Sequence, residues 1–359
     1  MSRLIINLSF LSSKPTGLSV YAQNLIPALS ELNPTLISSK PFPDSSCYPI
    51  SSGLNADGGT RGHLNRLIWT QSQLPKIYRE LKSELLFSPV PEAPIFINCR
   101  YIITVHDLIP LRFFKSSSPL SQYFRWWLPQ VLAQAEHIIC NSIATATETI
   151  DRFQLPAAKV TAIPLAYDQN HFYYDETQQP ANPPYFIYIG RHDPHKNVQR
   201  IIAAFGQLPN CKEYQLWLVG SSDSRYTPIL RSQVVELGLM EQVKFLEYLP
   251  YQDLPMAIRQ ARALVFPSLW EGFGLPVLEA MACGTPVITS NLAALSEIAS
   301  DAAILINPLN EREIASAMNK IMTDDLLHQQ LQLVGLKCAS QFSWSRTGRS
   351  TVDILKRYL

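Results

Sequence analysis

Short apolar runs rich in β-branched residues recur along the chain, and longer stretches of helical period separate them. That rhythm belongs to parallel strands joined by helical crossovers, so the fold class read from it is α/β. In the first half the candidate strands are Leu4–Leu8, Leu85–Ser88, Tyr101–Val105, His137–Cys140 and Val160–Ile163. In the second half they are Tyr185–Ile189, Gln215–Val219, Val243–Phe245, Ala263–Phe266, Pro286–Thr289 and Ala303–Ile306.

Between the two sets, Tyr167 to Pro184 is polar, Pro-rich and without helical period, the signature of a linker. A chain of 359 residues exceeds one ordinary core. The expected division is therefore a first domain over 1–175, a second over 176–340, and a last helix over 341–359 that returns to the first. Ser38 to Gly62 is rich in Ser, Gly and Pro and reads as one long loop.

Charged residues make up only 16% of the chain and the formal net charge is +1, which excludes disorder and gives nucleic acid no electrostatic footprint. The six cysteines are scattered, with no close pair for a metal or redox site, and a reducing cytoplasm suits them. The apolar run at the N-terminus is short and lacks a cleavage signature, so it is read as the first strand rather than a leader. No window approaches the length of a membrane span, so any membrane contact is expected to be peripheral, on the cytoplasmic face.

Ala263-Leu-Val-Phe-Pro-Ser268 is a buried strand running into a turn, after which Gly272 and Gly274 bracket Phe273, and Leu275-Pro276 opens a helix. Glycines allow backbone N–H groups to approach a ligand closely, and a helix start offers unpaired N–H groups and the positive end of a dipole. Glu271 lies in this loop and Glu279 about one helical turn past Pro276. A carboxylate at the second position suits a pair of ribose hydroxyls, leaving Glu271 for a sugar.

Tyr185-Phe-Ile-Tyr-Ile-Gly190 is a second strand that ends in a turn, Gly190-Arg191-His-Asp-Pro-His-Lys196-Asn197, before a helix from Val198 to Phe205. Arg191 and Lys196 flank this turn, where two cations would neutralise the charge developing on a diphosphate leaving group. Solvated surface cations would show the same spacing. His192 and His195 read as loop histidines rather than metal ligands.

Tyr101-Ile-Ile-Thr-Val105 runs into His106-Asp107, which puts His106 at the C-terminal edge of a buried strand, where α/β ligand sites form. It would bond a sugar hydroxyl or sit satisfied in the core. Thr16-Gly17-Leu-Ser19 repeats the strand, glycine loop and helix device after the first strand. Ser142 is either an N-cap or a ligand contact. Phe113-Phe114, Lys115 and Tyr123-Phe-Arg-Trp-Trp127 form an aromatic and basic stretch that either docks on a membrane surface or packs on the sheet. The chain holds no Asp-x-Asp pair for a metal on a diphosphate, no nucleophile elbow and no Walker loop.

Thr16-Gly17-Leu-Ser-Val-Tyr21, Val105-His-Asp-Leu-Ile-Pro110, Ile163-Pro-Leu-Ala166, Tyr188 to Asn197, Trp217-Leu-Val-Gly220 and Pro267 to Glu279 together resemble the retaining family 4 glycosyltransferases. Within that family they are similar to the branch of bacterial mannosyltransferases of O-antigen synthesis. Ser343-Trp344-Ser345 resembles the family's C-terminal signature.

The resemblance implies two Rossmann-like domains facing a cleft, the glycosyltransferase B fold, with the donor on the second domain and the acceptor on the first. It implies transfer of a hexose with retention and without a metal, from GDP-mannose or another nucleotide diphosphate sugar to a glycan or lipid-linked saccharide. By the same resemblance Arg191 and Lys196 meet the diphosphate next to Gly190, and Glu279 the ribose. Glu271 with Gly272, Phe273, Gly274 and Leu275 then holds the donor sugar, His106 sits near sugar and acceptor, and Gly17 near the phosphate. A binding protein without turnover and a sugar-nucleotide epimerase are the alternatives of the same architecture.

Overall fold

A computed structural model describes residues 3–12, 16–54, 59–247 and 249–359. The chain divides into two compact units, Met1–Leu165 with Trp344–Leu359, and Ala166–Ser343. The polar segment around residue 175 lies inside the second unit. There it is anchored by His171, stacked on Tyr251 at 4.0 Å, and by the Ala181 N–H bonded to Gln260 O.

The first unit is built on a seven-stranded sheet whose strands are β1 (Leu4–Asn7), β2 (Thr35–Ser38), β3 (Ser46–Pro49), β4 (Leu85–Ser88), β5 (Tyr101–Val105), β6 (His137–Cys140) and β7 (Val160–Ala162). Their order is β3-β2-β1-β4-β5-β6-β7, and every pair is parallel. Except for β3 and β7 these strands are buried along their whole length. Helices on both faces of a parallel sheet explain why such strands read as unbroken apolar runs rather than as alternation.

The second unit carries six parallel strands, β8 (Tyr185–Ile189), β9 (Gln215–Val219), β10 (Val243–Leu246), β11 (Ala263–Phe266), β12 (Val287–Ser290) and β13 (Ile304–Ile306), ordered β10-β9-β8-β11-β12-β13. In both sheets the chain adds strands to one side of the first and then crosses to the other. The order reverses between β1 and β4, and again between β8 and β11. Ligands of open α/β sheets bind at such switch points, beyond the C-terminal ends of the strands.

The expected loop from Ser38 to Gly62 is corrected by the structure: it contains β3 and the start of helix Gly59–Ser72, while 55–58 lie outside the described residues. β3 is an edge strand of Ser, Cys, Tyr and Pro with little buried surface, and β2 is only four residues long. Neither had the apolar run that marks a central strand.

The last helix, Trp344–Lys356, packs on helix Gly17–Leu29 within the first unit. Gly348 makes the approach close, since a Cβ there would collide with that of Ala28. Thr347 donates its hydroxyl to Pro164 O at 2.7 Å, and His137 and Tyr358 share a hydrogen bond of 3.0 Å.

Candidate active site

In the second unit the two loops that flank the switch point are pinned to each other. Leu269 N–H donates to His195 O at 2.7 Å. Asn197, fully buried and left-handed at φ 64°, donates its amide to Pro267 O at 3.0 Å and to Pro308 O at 2.6 Å. Asparagine is among the few residues with a side chain that tolerate this backbone region. The turn after β8 is thereby held against the loop after β11.

The consequence is a close pair. Lys196 Nζ lies 2.5 Å from Glu271 Oε1, with the lysine side chain 18% and the glutamate side chain 9% exposed. The ammonium also stands 5.5 Å from the centre of the Phe266 ring. Two opposite charges so far out of water are stable only as partners, and removing either strands the other at a cost of about 3–5 kcal/mol. Arg191 belongs to the same turn but points outward, 68% exposed, with Asp193 3.4 Å from its Nε.

Gly190 and Gly274 occupy positive φ at 155° and 120°. A side chain at Gly274 would place its Cβ 2.6 Å from Leu295, and one at Gly190 would meet the Tyr188 hydroxyl at 2.7 Å. Tyr188 needs that position to donate to Arg191 O at 2.8 Å. Gly274 precedes helix Leu275–Ala282, which no side chain caps and whose second residue, Pro276, carries no N–H. Gly272 is buried beside it, and Phe273 packs edge-on against Phe342.

Glu279 lies in the first turns of this helix and is half-buried. Burial raises its carboxyl to about 7. Its carboxyl accepts no hydrogen bond among the described residues, and burial alone accounts for the rise. Ser268 and Ser290, fully buried at the ends of β11 and β12, likewise have hydroxyls without a partner among the described residues.

The first unit is arranged differently. Thr16 caps helix Gly17–Leu29, its hydroxyl accepting the Ser19 N–H at 3.2 Å, and Gly17 is exposed with open space where a Cβ would stand. His106 follows β5 beside the switch point, with its Nε2 2.8 Å from Pro89 O. A carbonyl only accepts, so Nε2 carries the proton and Nδ1 is the acceptor nitrogen. Burial lowers the imidazole to about 4, and it is neutral at physiological pH.

Ser142 is an N-cap, accepting the Thr145 N–H at 3.1 Å. His192 is buried with Nδ1 2.8 Å from Thr227 Oγ1, and His195 contributes its carbonyl to the loop pin. No group of three or more His, Cys, Asp or Glu among the described residues is placed to hold a metal ion. The aromatic stretch is divided: Tyr123, Phe124 and Leu128 are buried, while Leu120, Trp126 and Trp127 are exposed. No helix among the described residues is long and apolar enough to cross a membrane.

Sequence reasoning passed over Asn197, although an Asn closing a Lys-bearing turn is a legible signal for a left-handed residue. It also passed over Tyr21 and Thr104; Tyr21 contacts both Thr104 and His106 and so joins distant parts of the chain.

Two parallel sheets, each with its candidate residues beyond the C-terminal strand ends at a switch point, define a two-domain Rossmann-like protein of the glycosyltransferase B class. The solved structures agree in fold: a sucrose-phosphate synthase from Thermosynechococcus elongatus matches with a TM-score of 0.80 at 20% identity, over 99% of this chain and 98% of that one. The family model "Glycosyltransferase Family 4" matches residues 15–171 and "Glycosyl transferases group 1" matches 171–333. The chain belongs to this glycosyltransferase family. It is 31% identical over 244 residues to O-antigen chain mannosyltransferase B of Escherichia coli, covering 66% of this chain and 64% of that protein, short of two thirds. It is 28% identical over 330 residues to O-antigen chain mannosyltransferase RfbU of Salmonella typhimurium, covering 89% of this chain and 90% of that one.

Proposed function

We propose that the protein transfers a hexose, with mannose favoured, from a nucleotide diphosphate sugar such as GDP-mannose to a glycan or lipid-linked saccharide, retaining the anomeric configuration and using no metal. The observation that carries this reading is the pinned pair of loops at the β8/β11 switch point, which gathers Lys196, Glu271 and the Gly274 helix start in one place. Arg191 and Lys196 meet the diphosphate beside Gly190, supplying the positive charge that a metal supplies in other transferases. Glu279 accepts the ribose hydroxyls. Glu271, with Gly272, Leu275 and the amides of Phe273 and Gly274, holds the donor sugar; the roles the family resemblance gives Gly17 and His106 are contact with the phosphate and with sugar and acceptor.

The pairing supports retention. Glu271 is neutralised by Lys196 and is poorly suited to act as a base or nucleophile. A departing phosphate oxygen takes the acceptor proton instead, so attack and departure occur on one face of the sugar. Anionic lipid headgroups suit the exposed Trp126 and Trp127 and the Arg125 guanidinium, 5.1 Å from the centres of both the Phe114 and Trp126 rings, and peripheral membrane contact forms part of the proposal.

The test is turnover of GDP-mannose and other nucleotide hexoses with a glycan acceptor, the product's anomeric proton followed by NMR, with and without a chelator. Transfer with the donor's configuration, unaffected by chelation, is the expected result. Inversion, chelator-dependent loss, interconversion of the donor without acceptor, or no turnover of any donor contradicts it.

A further inference from the structure

His106 is held by more than the Pro89 carbonyl. The Tyr21 ring stands edge-on to the imidazole, with centroids 4.8 Å apart and planes at 83°. Tyr21 is 2% exposed, and its hydroxyl lies 3.0 Å from Thr104 Oγ1. Thr104 and His106 are two positions apart along an extended run, so their side chains leave the same face of the sheet. Tyr21 spans both, bonding one through its hydroxyl and walling the other with its ring. Beyond it stands Trp344, the first residue of the last helix, with ring centroids 6.4 Å apart.

This arrangement divides the work of orienting an imidazole. The carbonyl sets the tautomer and fixes one nitrogen, but a single hydrogen bond leaves the ring free to swing about it. An edge-on aromatic wall removes that freedom, and the bond to Thr104 keeps the wall itself in register with β5. A phenylalanine would supply the wall without the anchor.

We propose that Tyr21 is a positioning residue for transfer, fixing the imidazole plane of His106 so that Nδ1 is presented as a hydrogen-bond acceptor, and tying that orientation to the helix that begins at Gly17 and to Trp344. The inference rests on His106 being a site residue, as proposed above. It adds that chain segments 85 residues before and 238 after it determine how that residue works.

The test combines Tyr21→Phe, Tyr21→Ala, His106→Ala and the double variant Tyr21→Ala with His106→Ala, each confirmed as folded. Steady-state transfer and the ring-nitrogen NMR signals of His106 are measured. Tyr21→Phe is expected to lower kcat about 2- to 3-fold and Tyr21→Ala about 10-fold, no more than His106→Ala itself, with the donor KM little changed, because orientation rather than binding is lost. In the His106→Ala background the Tyr21 change should cost nothing further. The His106 nitrogen signals should keep the Nε2–H pattern in both variants, because the Pro89 carbonyl sets the tautomer, but should shift and broaden in the Ala variant as the ring swings about that bond. Multiplicative losses in the double variant, or an unaltered His106 spectrum in Tyr21→Ala, overturn the inference. If His106→Ala transfers normally, the site reading has failed, and the NMR result alone then decides what Tyr21 does.

Discussion

The two sheets share a topology and differ in their chemistry. Beyond β8 and β11, charge is concentrated: a half-buried lysine in contact with a buried glutamate, an exposed arginine, and a half-buried carboxyl raised to about 7. Beyond β4 and β5 stands an imidazole lowered to about 4, walled by an aromatic ring and bonded to a carbonyl. The first surroundings suit an anionic group, the second neutral hydroxyls. The same fold built twice therefore carries two kinds of local chemistry, and local residues rather than topology decide which is which.

The largest difference should appear in catalysis. Lys196→Gln, which keeps a hydrogen-bond donor for Glu271, is expected to lower kcat/KM for donor turnover about 10³-fold, whereas His106→Ala should cost about 10- to 100-fold. Steady-state kinetics on folded variants checks this, and equal losses at both sites would erase the distinction.

The pH dependence of stability should carry opposite signs in the two units. Glu279, raised from 4.5 to about 7, binds its proton more tightly folded than unfolded. Its contribution is present below about 4.5 and falls by roughly 3 kcal/mol as pH rises to 7. His106, lowered from 6.5 to about 4, binds its proton less tightly when folded, and its contribution rises by roughly 3 kcal/mol over pH 4 to 6.5. Denaturant titrations of Glu279→Gln and His106→Asn against the parent should give difference curves of opposite slope. Curves of the same slope would break the comparison.

The two glycine-led helices should differ least, but measurably. Gly274→Ala combines a disallowed backbone with a contact 2.6 Å from Leu295 and should destabilise by about 2 kcal/mol. Gly17→Ala enters open space and should change stability by less than about 1 kcal/mol. Urea midpoints distinguish them.

Much of this arrangement is legible in the amino-acid sequence. Strands such as Tyr101–Val105 and Ala263–Phe266 are buried on both faces, so their composition announces them. β3, at an edge and ending in Pro49, had no such signature, and helix Gly59–Ser72 lacked a marked apolar face. Among site residues, the types and loops were readable, but not their mutual geometry. That Lys196 meets Glu271 depends on the Asn197 clamp, which joins positions 70 and 111 residues apart. The raised carboxyl of Glu279 and the wall beside His106 arise from burial and long-range packing, which no local pattern encodes.

The central claim is that the charged switch point of the second unit holds a nucleotide diphosphate sugar. Melting temperatures of the parent protein and of Lys196→Gln, measured against GDP-, UDP- and ADP-sugars, test it most directly, because a ligand bound only by the folded state raises apparent stability by mass action. The account predicts that at least one donor raises the melting temperature of the parent and that the shift is lost in Lys196→Gln. A parent that responds to none of them, or a variant that responds as the parent does, would contradict it.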